Sequence, residues 1–200
     1  MNGETMDVMA VIEHVGNALC LDFANTVNVR WSPERDWLRT PEELETWSAS
    51  LGRPVSVPTG PGGGIDAELE QMRQVRDALY RVFSPLAAGI DPDRSALDLL
   101  ARVHAEGARH GTLERASGGF SWSWAGTRTP RVLLWEVAAS AVDLLTRGPL
   151  DRLGECPSCG WLFLDTSRNR QRRWCSMATC GSRDKAQRYY ARNAAARAGS

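Results

Sequence analysis

Four of the five cysteines, Cys156, Cys159, Cys175 and Cys180, fall within twenty-five residues, while Cys20 stands apart. Cys156-Pro-Ser-Cys159-Gly160 has the two-residue spacing of a tight knuckle whose thiolates converge on one metal. Fifteen residues later, Cys175 and Cys180 form a second pair, four residues apart, within the range that zinc modules use. Four sulfurs fill zinc's tetrahedron and leave no room for an activated water. The spacing therefore predicts one structural Zn2+ per chain and not a catalytic one. The competing reading is a set of reduced thiols or a redox pair. An odd cysteine count without a secretory leader argues against a disulfide framework. With little apolar sequence around it, the module is expected to lose its fold without the metal.

No second constellation competes with this one. His14, His104 and His110 are scattered with no nucleophile placed beside them, and no glycine-rich phosphate loop occurs, so an enzyme is not expected. Composition, 42% hydrophobic and 24% charged over 200 residues, is that of a soluble globular chain with one ordinary domain and a small module. No run approaches the apolar length of a membrane span, and the polar, acidic Met1–Asp7 does not read as a signal peptide. A cytoplasmic location is expected.

Charge separates the two parts. Overall, 24 Lys+Arg balance 24 Asp+Glu. Residues 1–150 hold 14 basic against 20 acidic residues, a net −6, and residues 151–200 hold 10 against 4, a net +6. A basic module on a neutral chain points to a polyanionic partner, nucleic acid being the commonest.

The elements that must position these residues are mostly helical. Thr40-Pro-Glu-Glu43 is a capping box opening a helix that Gly52 closes. A punctuated loop, Pro54 to Gly64, leads to a long amphipathic helix from Ile65 to about residue 88. Asp91 as cap and Pro92 as first turn predict the next helix. Leu113 to Trp124 predicts a β-hairpin with Phe120, Trp122 and Trp124 on one core face, and residues 131–147 a central buried helix that includes Trp135. Leu19, Leu21 and Phe23 fit a strand or a helix equally. The expected fold is α+β, a predominantly helical domain over residues 8–148 with a small hairpin, followed at 153–197 by a treble-clef-like four-cysteine zinc finger.

The C-terminal residues resemble the CGNR-type zinc finger: Cys156-Pro-Ser-Cys159, Leu162-Phe163-Leu164-Asp165, Ser167-Arg168-Asn169, Arg172-Arg173-Trp174-Cys175-Ser176 and Cys180-Gly181-Ser182-Arg183. Ser182 stands where the family places Asn. His14-Val15-Gly16-Asn17 and Leu21-Asp22-Phe23-Ala24-Asn25-Thr26 resemble the opening of the ABATE domain of stress-induced transcription regulators. The resemblance implies a bacterial regulator that binds DNA through its finger and senses a ligand through ABATE.

At 100° per residue, Lys185, Arg188 and Arg192 fall within about 60° of one another on the last helix. With Arg170, Arg172 and Arg173 they are the candidate phosphate contacts. Arg183 falls on the opposite side with Ala186, Tyr190 and Ala194, which is expected to face the zinc body. There Arg183 would pair with Asp165 or steady a thiolate, and Trp174 would cover the metal. DNA, RNA and a protein partner all remain readings of this basic face, the chief alternative being an interaction adaptor without DNA binding. Asp22, Asn25 and Thr26, beside Trp31 and Trp37, either line a pocket for a small-molecule effector or only cap and pack. Cys20 reads as a buried small hydrophobe or a redox sensor. A homodimer is expected if DNA recognition needs two half-sites.

Overall fold

The computed structural model describes residues 12–31, 35–57, 64–124 and 126–198, with side chains to 193. The polar Met1–Asp7, residues 8–11 of the expected domain, Pro58 and Pro61 of the loop, and the side chains of Ala194 and Arg197 lie outside the described residues.

The short alternating run near the N-terminus folds as α1 (Leu19–Ala24), buried from Cys20 to Ala24. Helix α2 (Pro41–Ser50) is capped as its sequence predicts: Thr40 Oγ1 accepts the amide of Glu43 at 3.3 Å. Helix α3 (Ile65–Ala87) buries Leu69, Met72, Val75, Leu79, Val82 and Phe83 along one stripe. Helix α4 (Arg94–His110) starts two residues later than expected, with Asp93 as its cap instead of Asp91. The reason is tertiary: Asp93 accepts the Ala96 amide at 2.9 Å and the Ser95 hydroxyl, and Arg81 of α3 holds its other oxygen at 2.6 Å. Helix α5 (Pro130–Arg147) is the central one, packed on α1, α3 and α4.

Between α4 and α5 lies the hairpin of β1 (Thr112–Ala116) and β2 (Gly119–Ser123), and its aromatic face is not core. Phe120 is 66% and Trp122 45% exposed. Trp124 reaches the body, donating its indole N–H to Gly107 O at 2.9 Å, and Trp122 borders a cleft shared with Arg53, Pro54 and Val132. Trp135 is half-buried, stacked on His110 at 5.0 Å.

A single 3-10 turn (Leu150–Arg152) leads into the second hairpin, β3 (Leu153–Glu155) and β4 (Leu162–Leu164), paired antiparallel from Leu153 with Leu164 to Glu155 with Leu162. Leu153, Leu162 and Leu164 belong to the same buried cluster as Phe23, Met72, Leu79 and Val137. The chain passes from the helical part to the cysteine module at Gly148-Pro149, but the core does not divide there. A π turn (Met177–Gly181) then leads into α6 (Ser182–Ala198).

Candidate metal centre and nucleic-acid interface

The tip of the β3–β4 hairpin is the knuckle. Gly160 donates its amide to Cys156 O at 2.9 Å, and Cys156 donates to Trp161 O at 2.8 Å, which folds the two thiols towards each other. Gly160 has φ +74°, and a Cβ there would come within 2.8 Å of the Trp31 ring and 2.9 Å of Arg30 Cβ, so only glycine fits. The second pair flanks the start of the π turn. Cys175 precedes it, and Cys180 lies within it.

All four cysteines are buried, and their sulfurs lie within 4.8 Å of one another, with 3.5 Å between Cys159 and Cys175 and between Cys175 and Cys180. Sulfurs about 2.3 Å from a tetrahedral zinc ion are about 3.8 Å apart, so this donor set lies close to the spacing that the metal requires. The thiols alone cannot ionise together. Cys159 and then Cys175 donate to Cys156 and hold its thiol far below the usual range, while donation to Cys156 pushes Cys159 and Cys175 far above it. A divalent cation removes that conflict by stabilising four thiolates at once. Cys156, Cys159, Cys175 and Cys180 are the ligand set of one structural zinc ion. Phe163 and Trp174 pack in the same buried cluster, and Val15, Val29 and Trp161 close over it.

Residues 15–30 clasp this module. Leu164 donates to Gly16 O at 2.9 Å, and Asn17, held at φ +59°, donates its side-chain amide to Leu164 O at 2.8 Å. Asn25 pairs with Leu162 in both directions, Nδ2 to its carbonyl at 2.8 Å and Oδ1 from its amide at 2.9 Å. Arg30 N–H donates to Cys159 O at 3.0 Å, and Trp161 donates to Val27 O. From α3, the Tyr80 and Ser84 hydroxyls donate to Glu155 at 2.7 and 2.6 Å, next to the first ligand.

Asp22 and Thr26 support this clasp from within. Asp22 Oδ1 accepts the Gly16 amide at 2.8 Å, an approach so close that a Cβ on Gly16 would meet the Asp22 amide nitrogen at 2.8 Å. Burial pushes the Asp22 carboxyl up to about 6, opposed by the Gly16 hydrogen bond and by the charge of Arg172. Thr26 donates to Phe23 O at 2.9 Å. Surface clefts of about 180 to 560 Å³ lie elsewhere, and none is lined by Asp22, Asn25 or Thr26. Cys20 is wholly buried, and burial pushes its thiol up to about 12, which leaves it un-ionised at neutral pH.

The model of the ABATE family, described as "Putative stress-induced transcription regulator", matches residues 17–148, and that of the CGNR zinc finger matches residues 152–193. The chain belongs to the ABATE family. No curated protein matches it. Both family descriptions are of a regulator and a finger, not of an enzyme. No helix among the described residues is long and apolar enough to cross a membrane.

The arginines of the CGNR finger divide by environment. The guanidinium of Arg172 lies over the Phe163 ring at 4.3 Å and donates to Val15 O at 2.9 Å, Trp174 O at 3.1 Å, Leu164 O at 3.3 Å and Cys175 O. It is a brace across the metal module, its guanidinium engaged by four carbonyls. Its amide and that of Ser167 take both oxygens of buried Asp165 at 2.8 Å, so Asp165 is engaged by this loop and not by Arg183. Arg170 is exposed, pairs with Asp151 at 2.7 Å and adopts φ +51°. Arg173 lies over Trp174 at 4.8 Å.

Arg168, absent from the expected contacts, lines a cleft of about 560 Å³ together with Ser167, Arg172, Arg173, Trp174 and Met177. Its only sequence signal is its place in the Ser-Arg-rich turn.

Helix α6 does not lie against the zinc body. Ala186 is exposed, as are Tyr189 at 57% and Tyr190 at 71%, because Val15, Val29 and Trp161 already cover the cysteines. Lys185 and Arg192 are exposed and make no ion pair among the described residues, whereas Arg188 pairs with Asp184 at 2.6 Å. Arg183 is also exposed and borders a crevice of about 180 Å³ that reaches Cys159, Cys175 and Cys180. Ser182 donates to Met177 O at 3.0 Å, tying the first residue of α6 across the π turn.

Proposed function

We propose that the chain is a DNA-binding transcription regulator whose CGNR finger presents α6 to the duplex. The observation that carries the reading is that α6 extends from the zinc module with Arg183, Lys185, Arg188 and Arg192 exposed. A helix of 17 residues is about 25 Å long and fits the major groove. Lys185, Arg188 and Arg192 supply phosphate contacts from the helix, and Arg168, Arg170 and Arg173 supply them from the adjoining loop. Arg172 is left out of this set because carbonyls already take its donors. In this reading zinc does no chemistry: bound by its four thiolates, it fixes the angle at which α6 leaves the body. Asn25 holds the ABATE part to the finger, Asp22 and Thr26 shape the segment that carries it, and no effector is assigned to them. The regulator is cytoplasmic and not an enzyme.

The test is binding of the zinc-loaded chain to a random duplex pool over a salt series. Affinity is expected to fall steeply with salt, and Lys185→Ala with Arg192→Ala is expected to reduce the slope of log K against log salt by about 2. An unchanged slope removes α6 from the interface. The exposed, T-shaped Tyr189–Tyr190 pair, 5.7 Å between centroids, favours a second reading, an adaptor docking on protein. Retention of no DNA at any salt concentration would select it.

A further inference from the structure

The β1–β2 hairpin leaves the body carrying its apolar side chains into solvent, Leu113 62%, Phe120 66% and Trp122 45% exposed. Its two strands form a sheet of their own, with no third strand among the described residues. The two-residue turn Ser117-Gly118 closes on the hydrogen-bonded pair Ala116–Gly119, and pairs alternate from there. Gly119, Ser121 and Ser123 therefore spend their N–H and C=O groups on β1, and Phe120 and Trp122 turn theirs to the free edge.

The two edges differ. β1 carries Glu114 and Arg115, and pairing it with a copy of itself about Glu114 would set two carboxylates directly opposite each other. β2, Gly-Phe-Ser-Trp-Ser, holds no charge and no proline, the devices that ordinarily protect an edge. Laid antiparallel on its own copy about Ser121, it sets Phe120 opposite Trp122 twice, Gly119 opposite Ser123 twice, and Ser121 opposite Ser121. Aromatic then meets aromatic and small meets small. Both outward residues become hydrogen-bonded pairs in the same register, which closes four N–H to C=O bonds and continues one aromatic face across both hairpins.

We infer that β2 is a homodimer edge: two copies of this chain join their hairpins antiparallel about Ser121 into one four-stranded sheet. The partner is a second copy because the β2 edge complements its own sequence in the register that its free backbone groups allow. The dimer places two fingers on one two-fold axis, an arrangement suited to paired half-sites.

The experiment is sedimentation of the zinc-loaded full chain from about 1 to 100 μM, with three variants. A concentration-dependent dimer is expected. Ser121→Lys, which sets like charges opposite each other on an exposed strand, is expected to weaken it by about tenfold or more with zinc content and melting unchanged. Under mild oxidation, Ser121→Cys is expected to cross-link to its copy far faster than Ser123→Cys or the parent chain. Residues 121 of the two copies form a non-hydrogen-bonded pair about 4.5 Å apart at Cα, within disulfide reach, and residues 123 do not meet. A parent chain monomeric throughout, a dimer indifferent to Ser121→Lys, or equal cross-linking at 121 and 123 would each overturn the proposal.

Discussion

The molecule contains two small antiparallel hairpins, each rich in apolar residues, with opposite fates. In β3–β4, Leu162 and Phe163 are 0% and 1% exposed; in β1–β2, Phe120 is 66% exposed. Apolar content does not separate them. What does is the presence of a segment distant in sequence that reaches one hairpin and not the other. Residues 15–30 supply Gly16, Asn17, Asn25 and Arg30 to the backbone of β4 and the knuckle, and α3 supplies Tyr80 and Ser84 to β3. The other hairpin is tied by the Trp124 indole, bonded to Gly107 O, and no such backbone bonds from a distant segment reach its strands among the described residues. Burial here follows long-range backbone hydrogen bonds, because an apolar strand enters a core only if its N–H and C=O groups find partners.

Removing the metal should break this contrast most severely. Because the β3–β4 hairpin shares the helical core, Cys159→Ser or a strong chelator is expected to lower the midpoint of the whole chain by more than about 10 °C in one cooperative transition. A chelated protein keeping its full helical circular dichroism and melting point would show that the module is only appended. Next in size is Asn25→Ala, which orphans both the amide and the carbonyl of buried Leu162 and is expected to cost about 3 kcal/mol, read from chemical denaturation. A cost near that of an exposed Asn would mean that the clasp contributes little.

Asp22 refines the contrast through pH. Its folded pKa of about 6 lies above the ordinary 3.8, so the native state binds the extra proton. The stability contributed by that proton is complete below about pH 4 and is lost as pH rises through about 6, amounting to at most about 3 kcal/mol. Asp22→Asn, which keeps an acceptor for Gly16, is therefore expected to gain on the parent chain from about pH 4 to 6 and hold a constant advantage above. A gap that does not change with pH would rule out burial as the dominant influence on this carboxyl. The smallest effect belongs to the other hairpin: Phe120→Ser is expected to change the stability of the dilute chain by no more than about 0.5 kcal/mol in thermal melts. A loss of several kcal/mol would show that the hairpin is covered after all.

Much of the fold was legible in local pattern. The capping box at Thr40, the apolar stripe of α3 and the central α5 are periodicities of neighbouring residues, and they formed where the spacing placed them. The start of α4 moved from Asp91 to Asp93 because Arg81, from another helix, stabilises the later cap. The hairpin was readable as a hairpin, but its exposure was not, since alternation says that a strand has an apolar face and not what meets it.

The same division runs through the candidate site. The sequence by itself determined the metal centre, because four soft ligands at knuckle spacing leave one coordination chemistry open and the chain between them is too short to hold them apart. It also determined that the basic charge sits at the C-terminal end. Only the tertiary structure decided which arginine does what. Arg172 and Arg173 are adjacent and chemically identical, yet one is drawn inward by carbonyls of Val15, Leu164, Trp174 and Cys175 while the other stays at the surface. Likewise Asn25 became part of a clasp because β4 lies within hydrogen-bonding reach, whereas Asp22 and Thr26 are taken up by the nearby backbone of Gly16 and Phe23. Ligand chemistry is carried by residue type and short spacing, whereas the roles of Asn25 and Arg172 depend on Leu162 and Val15, partners more than a hundred residues away that no local pattern encodes.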